Sequence, residues 1–312
     1  MSVSVPEAVG DLVDPILVAA FEGWNDAADA ASSTLDRLID QWDADLVAEL
    51  DPEDYYDFQM TRPHVSFSDL GQRTITWPTS RIFVARPEGA DRDLVLLRGI
   101  EPNMRWRQFC QEILEIADSL GVRLVVVLGA LLADVPHTRP IPVTGSVSDT
   151  DIGDRLGLEQ SRYEGPTGIT GVFQDLCAQA DMPSLSLWAA VPHYVSQTPC
   201  PKATLALLGR LEDLIEVPVA VEDLVEEARA WERGVDELAR EDPEIAEYVQ
   251  ALEERRDAVE LPEASGDAIA REFERYLKRR QRDTPSGSPS VDEPASESDA
   301  QQGVDGEGDG RT

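Results

Sequence analysis

The 312-residue sequence predicts an α/β protein with a mostly parallel mixed sheet, followed by a C-terminal helical module. Three observations point to this class. Short apolar runs of strand length alternate with segments of helical spacing through most of the chain. A β-rich stretch without intervening helices interrupts that alternation. The C-terminal part shows only amphipathic helical spacing and then a polar tail.

The first predicted strand is the apolar run ILVAAF at residues 16–21, which has the length of a buried strand. In the segment EGWNDAADAASSTLDRLIDQW that follows, Asn25 or Asp26 can cap a helix whose Ala-rich first turns pack closely on a sheet. LVAEL at residues 46–50 predicts the next strand. This strand–loop–helix–strand order is typical of the start of a parallel sheet covered by helices.

Residues 55–99 differ, because the strand-like segments RTITW, RIFVA and DLVLLRG follow one another with short polar links. This pattern predicts a mixed or antiparallel part of the sheet. RLVVVLGALL at residues 123–132 is the strongest strand signal and predicts a central strand buried on both faces. A helix at residues 171–180 and a strand at residues 184–191 form a shorter β-α-β unit.

Helical spacing marks two further parts of the chain. One helix precedes the central strand and ends at Gly121. Its apolar positions are Trp106, Phe109, Ile113, Ile116 and Leu120. No strand is predicted after residue 191, where three helices each carry one apolar stripe among charged positions. The stripes consist of Leu224, Ala228, Trp231, Val235 and Leu238, then Ile245, Tyr248 and Leu252, then Ile269, Phe273 and Tyr276.

Changes in composition predict four parts of the chain. The α/β sheet domain covers residues 15–212 and follows an N-terminal extension at residues 1–14. The amphipathic helices form a helical module at residues 213–282, which packs either on the sheet domain or on another subunit. Residues 283–312 are mostly Ser, Pro, Gly, Asp and Glu, which predicts a disordered acidic tail.

The charge of the chain limits its partners. There are 27 Lys and Arg residues against 61 Asp and Glu residues, which gives a formal net charge of −34. Such a surface repels nucleic acid phosphates and anionic lipid headgroups, so neither is expected as a partner. It attracts a basic patch on another protein. The alternative explanation is that the acidity only keeps the protein soluble.

The expected location is the cytoplasm. No run approaches the roughly 18 apolar residues that span a bilayer. The first residues, MSVSVPEAVGDLVDP, lack the basic and apolar regions of an export signal. Cys110, Cys177 and Cys200 lie outside any C-x-x-C pattern, which predicts buried or free thiols in a reducing compartment.

Common catalytic signatures are absent from the sequence, which has no G-x-S-x-G, G-x-x-x-x-G-K-[ST], H-E-x-x-H or G-x-G-x-x-G pattern. Polar loops remain that follow predicted strands, where open α/β sheets usually bind ligands. We therefore predict a candidate cleft at the carboxyl ends of the strands. Its residues are Glu22, Asn25, Asp26, Asn103, Arg105, His137, Arg139, Tyr163, Glu164, Thr167, His193 and Tyr194.

The first two loops of this cleft each have a structural alternative. Glu22, Asn25 and Asp26 line a pocket, or Asn25 or Asp26 caps the following helix while Trp24 packs against a neighbouring loop. Arg105 holds a carboxylate or phosphate of a ligand, or it pairs with a structural acid while Asn103 starts the next helix.

The later loops leave similar alternatives open. His137 and His193 both lie just beyond candidate central strands, so one of them acts as a general base or both make structural hydrogen bonds. The glycines of SRYEGPTGITG cradle an anion beside Glu164 or form a tight loop. Tyr194 lines the cleft or fills an interface. No metal site and no cofactor are predicted.

Five motifs, GWNDAAD, RGIEPNMRW, GALLADVPHTRP, SRYEGPTGI and WAAVPHYV, occur in this order. Together they resemble the bacterial branch of the proteasome assembly chaperone two family over roughly residues 15–201. The resemblance implies a three-layer phosphorylase/hydrolase-like fold and soluble homo-oligomers, with a trimer as the expected form. Eukaryotic relatives assist the assembly of proteasome rings as a heterodimer that holds α subunits.

The resemblance and the missing catalytic signatures favour a protein-interaction or assembly factor without catalysis, which binds copies of itself and other protein subunits. Two alternatives use the predicted cleft. One is a small-molecule hydrolase or transferase. The other is a module that senses a ligand without chemistry, which stabilisation by a nucleotide without turnover would support.

Overall fold

The computed structural model describes residues 9–68, 71–147, 153, 156, 158–195 and 199–263. Contacts within the chain divide it into two units, residues 1–258 and residues 259–312. All side-chain contacts given below lie in the first unit. Of the second unit, only the five residues that end the last helix are described.

The elements are named in chain order. The strands are β1 Ile16–Glu22, β2 Asp45–Glu49, β3 His64–Phe67, β4 Arg73–Thr76, β5 Arg81–Ala85, β6 Leu94–Ile100, β7 Leu124–Ala133, β8 Val143–Val147, β9 Glu159–Gln160 and β10 Ser184–Pro192. The helices are α1 Ala30–Gln41, α2 Pro52–Tyr55, α3 Trp106–Ser119, α4 Ile169–Gln179, α5 Pro201–Ile215, α6 Glu222–Glu241 and α7 Pro243–Glu263. A short 3-10 helix, Ala27–Asp29, leads into α1.

The main sheet of the described residues has eight strands in the order β2-β5-β6-β1-β7-β10-β8-β9. Its centre is parallel, because β1 pairs with β6 and β7, and β7 pairs with β10. On the two sides, β5 runs antiparallel to β6 and β8 runs antiparallel to β10. The predicted α/β fold with a mostly parallel mixed sheet is therefore confirmed.

Helices cover both faces of the central strands. Neighbouring side chains of a strand point to opposite faces, so alternate residues enter two separate cores. Val18 of β1 and Val126 of β7 pack on one face with α1 and α5. Leu17 and Val127 pack on the other face with α3 and α4. This burial on both sides explains why the central strands are continuous apolar runs.

The position of β2 differs from the one that the sequence predicts. The expectation that β2 begins a parallel sheet beside β1 is wrong, because β2 pairs antiparallel with β5 at the edge of the sheet. β6 lies beside β1 instead. Of the residues of β2 only Val47 and Ala48 are buried, which suits an edge strand, whereas Leu94–Ile100 is buried along most of its length.

The helices after residue 200 are only partly those predicted. α6 and α7 confirm the two predicted helices that begin near Leu224 and Ile245, but Leu238 of the first stripe is 45% exposed and Ala239 is buried instead. α5 was not predicted, although its buried residues Ala203, Leu207 and Leu211 have helical spacing. The predicted helix around Ile269 and the predicted acidic tail lie outside the described residues. The predicted domain boundaries stay predictions.

β3 and β4 form a separate two-stranded antiparallel sheet. The strand signal of RTITW is confirmed as β4, but this strand does not join the main sheet. All residues of β3 and β4 are exposed.

Two further expectations concern the cysteines and membrane-spanning segments. Cys110, Cys177 and Cys200 are buried and free, as predicted. Burial raises the pKa of the Cys110 and Cys177 thiols to about 12 and that of Cys200 to about 11. No helix in the described part of the chain is long and apolar enough to cross a membrane.

Gly129→Ala is expected to destabilise the fold, because Gly129 lies opposite Trp188 in the pair of β7 and β10. A Cβ on Gly129 would lie 2.6 Å from Cε3 of Trp188, so the indole must move. Overpacking of this kind typically costs about 1–3 kcal/mol, and we expect a loss of that size in the free energy of unfolding, measured by urea denaturation.

The matched control is Gly209→Ala in α5, where nothing lies within 4 Å of an added Cβ. Alanine is favoured over glycine in helix interiors, so this variant should gain up to about 1 kcal/mol. If Gly129→Ala unfolded at the wild-type midpoint, the packing of Trp188 against Gly129 would be contradicted.

Candidate functional site

The contacts of the candidate cleft residues sort them into separate groups. Glu22, Asn25 and Asp26 bond to β6, to the residue that follows it, to α4 and to α1. His137, Arg139, His193 and Tyr194 contact the helices α6 and α7. Asn103 and Arg105 bond to residues 54–61. The remaining three, Tyr163, Glu164 and Thr167, are exposed in the loop before α4.

Asn25 lies in the loop after β1 and is buried with its polar side-chain atoms paired. Its Nδ2 donates to Oε1 of Glu101 at 2.9 Å, and its Oδ1 accepts from Oγ1 of Thr170 at 3.1 Å. Its backbone carbonyl accepts from the amide of Ala130 at 2.8 Å. Asn25 therefore joins the loop after β1 to β7 and to α4.

Glu101 completes this network from the end of β6. Its Oε1 also accepts from the amide of Ile169, the first residue of α4, at 2.9 Å. A carboxylate is stabilising there because the amides at a helix N-terminus carry partial positive charge. A Cβ on Gly168 would lie 2.3 Å from Oδ1 of Asn25, so the loop before α4 also closes tightly on Asn25.

Asp26 accepts hydrogen bonds from the first turn of α1, as the predicted capping role requires, although Asp29 occupies the N-cap position. The carboxylate of Asp26 accepts from the amides of Ala31 at 2.6 Å and Ser32 at 3.1 Å. Burial raises the pKa of Asp26 above its ordinary value of 3.8, although the hydrogen bonds from Ser32 and Ala31 lower it. The expected packing of Trp24 against a neighbouring loop is wrong, because Trp24 is 67% exposed.

Glu22 ends β1 and pairs with Arg98 of β6. Nη2 of Arg98 donates to Oε1 of Glu22 at 2.5 Å, and its Nε donates to Oδ1 of Asp36 at 2.8 Å. Burial lowers the pKa of Arg98, but the two carboxylates raise it by more, so the net direction is upward. The guanidinium thus stays charged and ties α1 to the neighbouring strands.

His137 lies in the loop after β7 and is 1% exposed. Oη of Tyr194 accepts from the amide of His137 at 2.7 Å and lies 2.7 Å from Nδ1 of the same residue. Nε2 lies 3.1 Å from Oδ1 of Asp236 on α6. Because the hydroxyl has one proton to donate, it is assigned to Nδ1, and the ring proton is then on Nε2 and donated to Asp236.

Two basic side chains near His137 also connect the loop after β7 to α6 and α7. Nε and Nη2 of Arg139 donate to the two carboxylate oxygens of Asp257 at 2.9 and 2.8 Å, and Nη1 donates to Glu253 at 3.2 Å. Nζ of Lys202 donates to Glu232 at 2.5 Å and also to the carbonyl of His137. These contacts hold α6 and α7 against the loop after β7.

Aromatic rings form the rest of this contact. The rings of His193 and Tyr194 each meet Tyr248 of α7 edge-to-face, with centroids 5.4 and 5.9 Å apart. Nδ1 of His193 also lies 3.3 Å from Oδ1 of Asp134. Burial raises the pKa of Tyr194 to about 12, so its hydroxyl keeps its proton at neutral pH. His193 and Tyr194 thus fill an interface within the chain.

The other candidate residues make local contacts. Oδ1 of Asn103 accepts from the amide of Asp57 at 2.9 Å and from Oγ1 of Thr61 at 3.0 Å, so Asn103 does not cap α3. Nη1 of Arg105 donates to Asp54 at 2.6 Å, which is the predicted pairing with a structural acid. Tyr163 donates its hydroxyl to the carbonyl of Pro166 at 2.9 Å.

The chemistry open to these groups is limited by their existing bonds. His137 has both ring nitrogens engaged, and Asn25 and Asp26 serve as internal partners of backbone and side-chain groups. Among the described residues, no group of three or more His, Cys, Asp or Glu could hold a metal ion. The predicted cleft stays a prediction.

Sequence reasoning missed the partners that complete these groups. Glu101 lies within the motif RGIEPNMRW, and its place directly after a predicted strand was a usable signal. Asp236, Glu253 and Asp257 carried no such signal, because charged positions beside a helical apolar stripe are usually solvated. Their partners are 99–118 residues away in the chain.

Comparison with known proteins adds a family match. The PAC2 family matches residues 20–239. A PAC2 family protein from Streptomyces avermitilis is 60% identical, with a TM-score of 0.71, over 76% of this chain and 100% of that chain. The Mycobacterium tuberculosis proteasome-assembly chaperone homologue is 53% identical, with a TM-score of 0.69, over 75% of this chain and 99% of that chain.

A more distant match supports the fold alone. An archaeal proteasome activator from Pyrococcus furiosus is 17% identical, with a TM-score of 0.61, over 76% of this chain and 99% of that chain. No curated protein matches the chain. The family and structure matches confirm the resemblance that the five sequence motifs carry.

Arg139→Ala is expected to loosen α7 without unfolding the sheet, because it removes the paired contact with Asp257 and the contact with Glu253. Hydrogen–deuterium exchange should become several-fold faster in α7 and stay unchanged in β1 and β7.

The control is Arg229→Ala on α6, which removes an exposed ion pair with Glu226 on the same helix. Exposed pairs of this kind contribute little, so exchange should not change. Equal exchange in α7 for both variants would show that the loop after β7 does not hold this helix.

Asp26→Asn tests the pKa of Asp26. The unfolded chain loses the Asp26 proton near pH 3.8, whereas the folded chain keeps it to higher pH because its pKa is raised. The stability that Asp26 contributes is therefore fully present below pH 3.8 and is lost as the pH rises through the raised pKa. The free energy of unfolding of wild type minus Asp26→Asn should fall as the pH rises and then level off. A difference that rises with pH would mean that the helix amides outweigh burial.

Proposed function

Because the chain belongs to the PAC2 family, we propose that it is a homo-oligomeric protein-interaction factor that assists the assembly of proteasome subunits without catalysis. The expected oligomer is a trimer in the cytoplasm. Its partners are copies of itself and other protein subunits, rather than nucleic acid or membrane.

The relatives support this role. The Mycobacterium tuberculosis relative bears the name of a proteasome-assembly chaperone homologue, and more than half of its residues are identical in the matched part. A Pyrococcus furiosus protein of the same fold is a proteasome activator. The first name refers to proteasome assembly and the second to proteasome activation, and neither names a chemical reaction.

One structural observation carries the proposal. The polar side chains at the carboxyl ends of the central strands already bond to one another and to α6 and α7. His137, the candidate general base, is buried between Tyr194 and Asp236. A general base must reach the proton that it abstracts. These residues connect elements of the fold by hydrogen bonds, which favours a role in protein contacts over catalysis.

Charge supports the same partner class. With 61 acidic against 27 basic residues, the surface favours basic patches on a protein partner and repels phosphate backbones. Attraction of this kind raises the rate of encounter and weakens in salt. An assembly factor that must release its client benefits from contacts that are readily reversed.

The test uses proteasome α and β subunits from the organism that encodes this chain, expressed separately. Native mass spectrometry of mixtures should show the homo-oligomer bound to α or β subunits, and core particles should form several-fold faster when the chain is present. An unrelated protein of similar net charge is the control for unspecific attraction.

Two results would overturn the proposal. One is an oligomer that binds neither subunit and leaves the rate of core-particle formation unchanged. The other is turnover of a small molecule that is lost in His137→Ala, which would establish the hydrolase or transferase alternative. A small mass that co-purifies without a protein partner would direct that search.

A further inference from the structure

The hairpin of β3 and β4, which we call the arm, stands apart from both cores of the protein. It forms its own two-stranded sheet and pairs with no other strand in the described residues. Every described residue from His64 to Trp77 is exposed. Its base is held by Phe58, whose ring lies 4.9 Å from that of Trp77.

The two faces of the arm differ sharply in polarity. Residues directly opposite in an antiparallel pair share a face, and residues two apart on a strand do so as well. Val65 lies opposite Ile75, and Phe67 lies opposite Arg73. The other face is polar and consists of His64, Ser66, Thr74 and Thr76.

The apolar face is open to solvent in the single chain. Phe67 is 68% exposed, Val65 50% and Ile75 40%, and Trp77 beyond the end of β4 is 45% exposed. An isolated two-stranded hairpin is marginally stable in water and needs a third strand or a packed face. A contiguous exposed patch of this kind marks an interaction surface.

The arm does not share the acidity of the body. Residues 64–77 contain Arg73 and one acidic residue, and Arg62 lies just before them, in a chain of net charge −34. Within the described residues neither arginine forms an ion pair. The complement of the arm is therefore a surface that is acidic and partly apolar. The rest of the same protein, its body, is acidic and exposes apolar residues such as Trp24 and Leu132.

We propose that the apolar face of the arm docks on the acidic body of a second copy of this chain. Docking of two arms on each other is disfavoured, because both apolar faces carry Arg73 and no described residue of the arm supplies a carboxylate to pair with it. Docking of an arm on a body joins two different surfaces. Such a contact gives a closed oligomer when two copies exchange their arms or when several copies form a ring. This inference rests on the homo-oligomer of the proposed function and names the element that builds it.

The arm offers matched variants, because neighbouring residues of one strand face opposite sides. Ile75→Glu and Phe67→Glu place a carboxylate on the apolar face, whereas Thr74→Glu and Ser66→Glu place the same charge on the polar face. In native mass spectrometry and light scattering, the first two should yield single copies at concentrations where wild type is oligomeric. The latter two should keep the wild-type mass. Urea denaturation should confirm that all four are folded.

Crosslinking identifies the occupant of the arm. A photo-reactive amino acid at position 67 in a mixture of isotopically light and heavy copies should join the arm to a body peptide of another copy. Retention of the wild-type mass by Ile75→Glu and Phe67→Glu overturns the inference. So do crosslinks only to another arm, or protection of the arm only when a proteasome subunit is added.

The same variants separate this inference from the proposed function. Oligomeric Ile75→Glu that still binds proteasome subunits would overturn the inference and leave the function intact. Monomeric Ile75→Glu, with a wild type that binds no proteasome subunit, would support the inference and overturn the function.

Discussion

Burial of both faces of the central strands constrains the rest of the structure. Helices cover both faces of β6, β1, β7 and β10, so the polar side chains of this region lie mainly at the strand ends. Polar groups that are buried there must be paired by hydrogen bonds. The loops satisfy one another: Asn25 bonds to Glu101 and Thr170, and His137 bonds to Tyr194. At this end of the sheet, where open α/β sheets usually bind ligands, Asn25, Asp26 and His137 make internal hydrogen bonds.

The same edge shows how an acidic chain uses its few cations. Arg98 faces two carboxylates, those of Glu22 and Asp36, and Arg139 likewise faces Glu253 and Asp257. A partly buried guanidinium between two acids gains more than an exposed pair, because solvent screens it less and its fork matches carboxylate geometry. Both arginines join parts of the fold that are distant in the chain. The cations therefore act as crosslinks between elements, and the surplus of carboxylates is left on the surface.

Local patterns predicted the elements well and their neighbours poorly. The apolar run at β7 and the spacing from Trp106 were enough to predict a central strand and α3. A strand that is buried on both faces is a continuous apolar run, and a helix that is buried on one face has apolar residues at helical spacing. The place of β2 depends on which strand is apolar enough to lie beside β1, and that competition is decided by packing across the whole sheet. Asp236 could not be foreseen as the partner of His137, because an acid on an amphipathic helix has the same pattern whether it is solvated or bonded. The candidate cleft was thus found as a set of loops, but the role of its residues depended on helices far along the chain.

The arm differs from the buried sheet and from the paired arginines described above. It lies outside both cores, its apolar side chains are uncovered, and within the described residues Arg73 and the nearby Arg62 form no ion pair, unlike Arg98 and Arg139. Two copies of a chain of net charge −34 repel each other, and a short-range contact must hold them together. At physiological ionic strength the repulsion is screened beyond about 8 Å. An apolar contact with an arginine beside it acts within that distance, so the proposed docking of the arm supplies attraction over the range in which the repulsion is not screened.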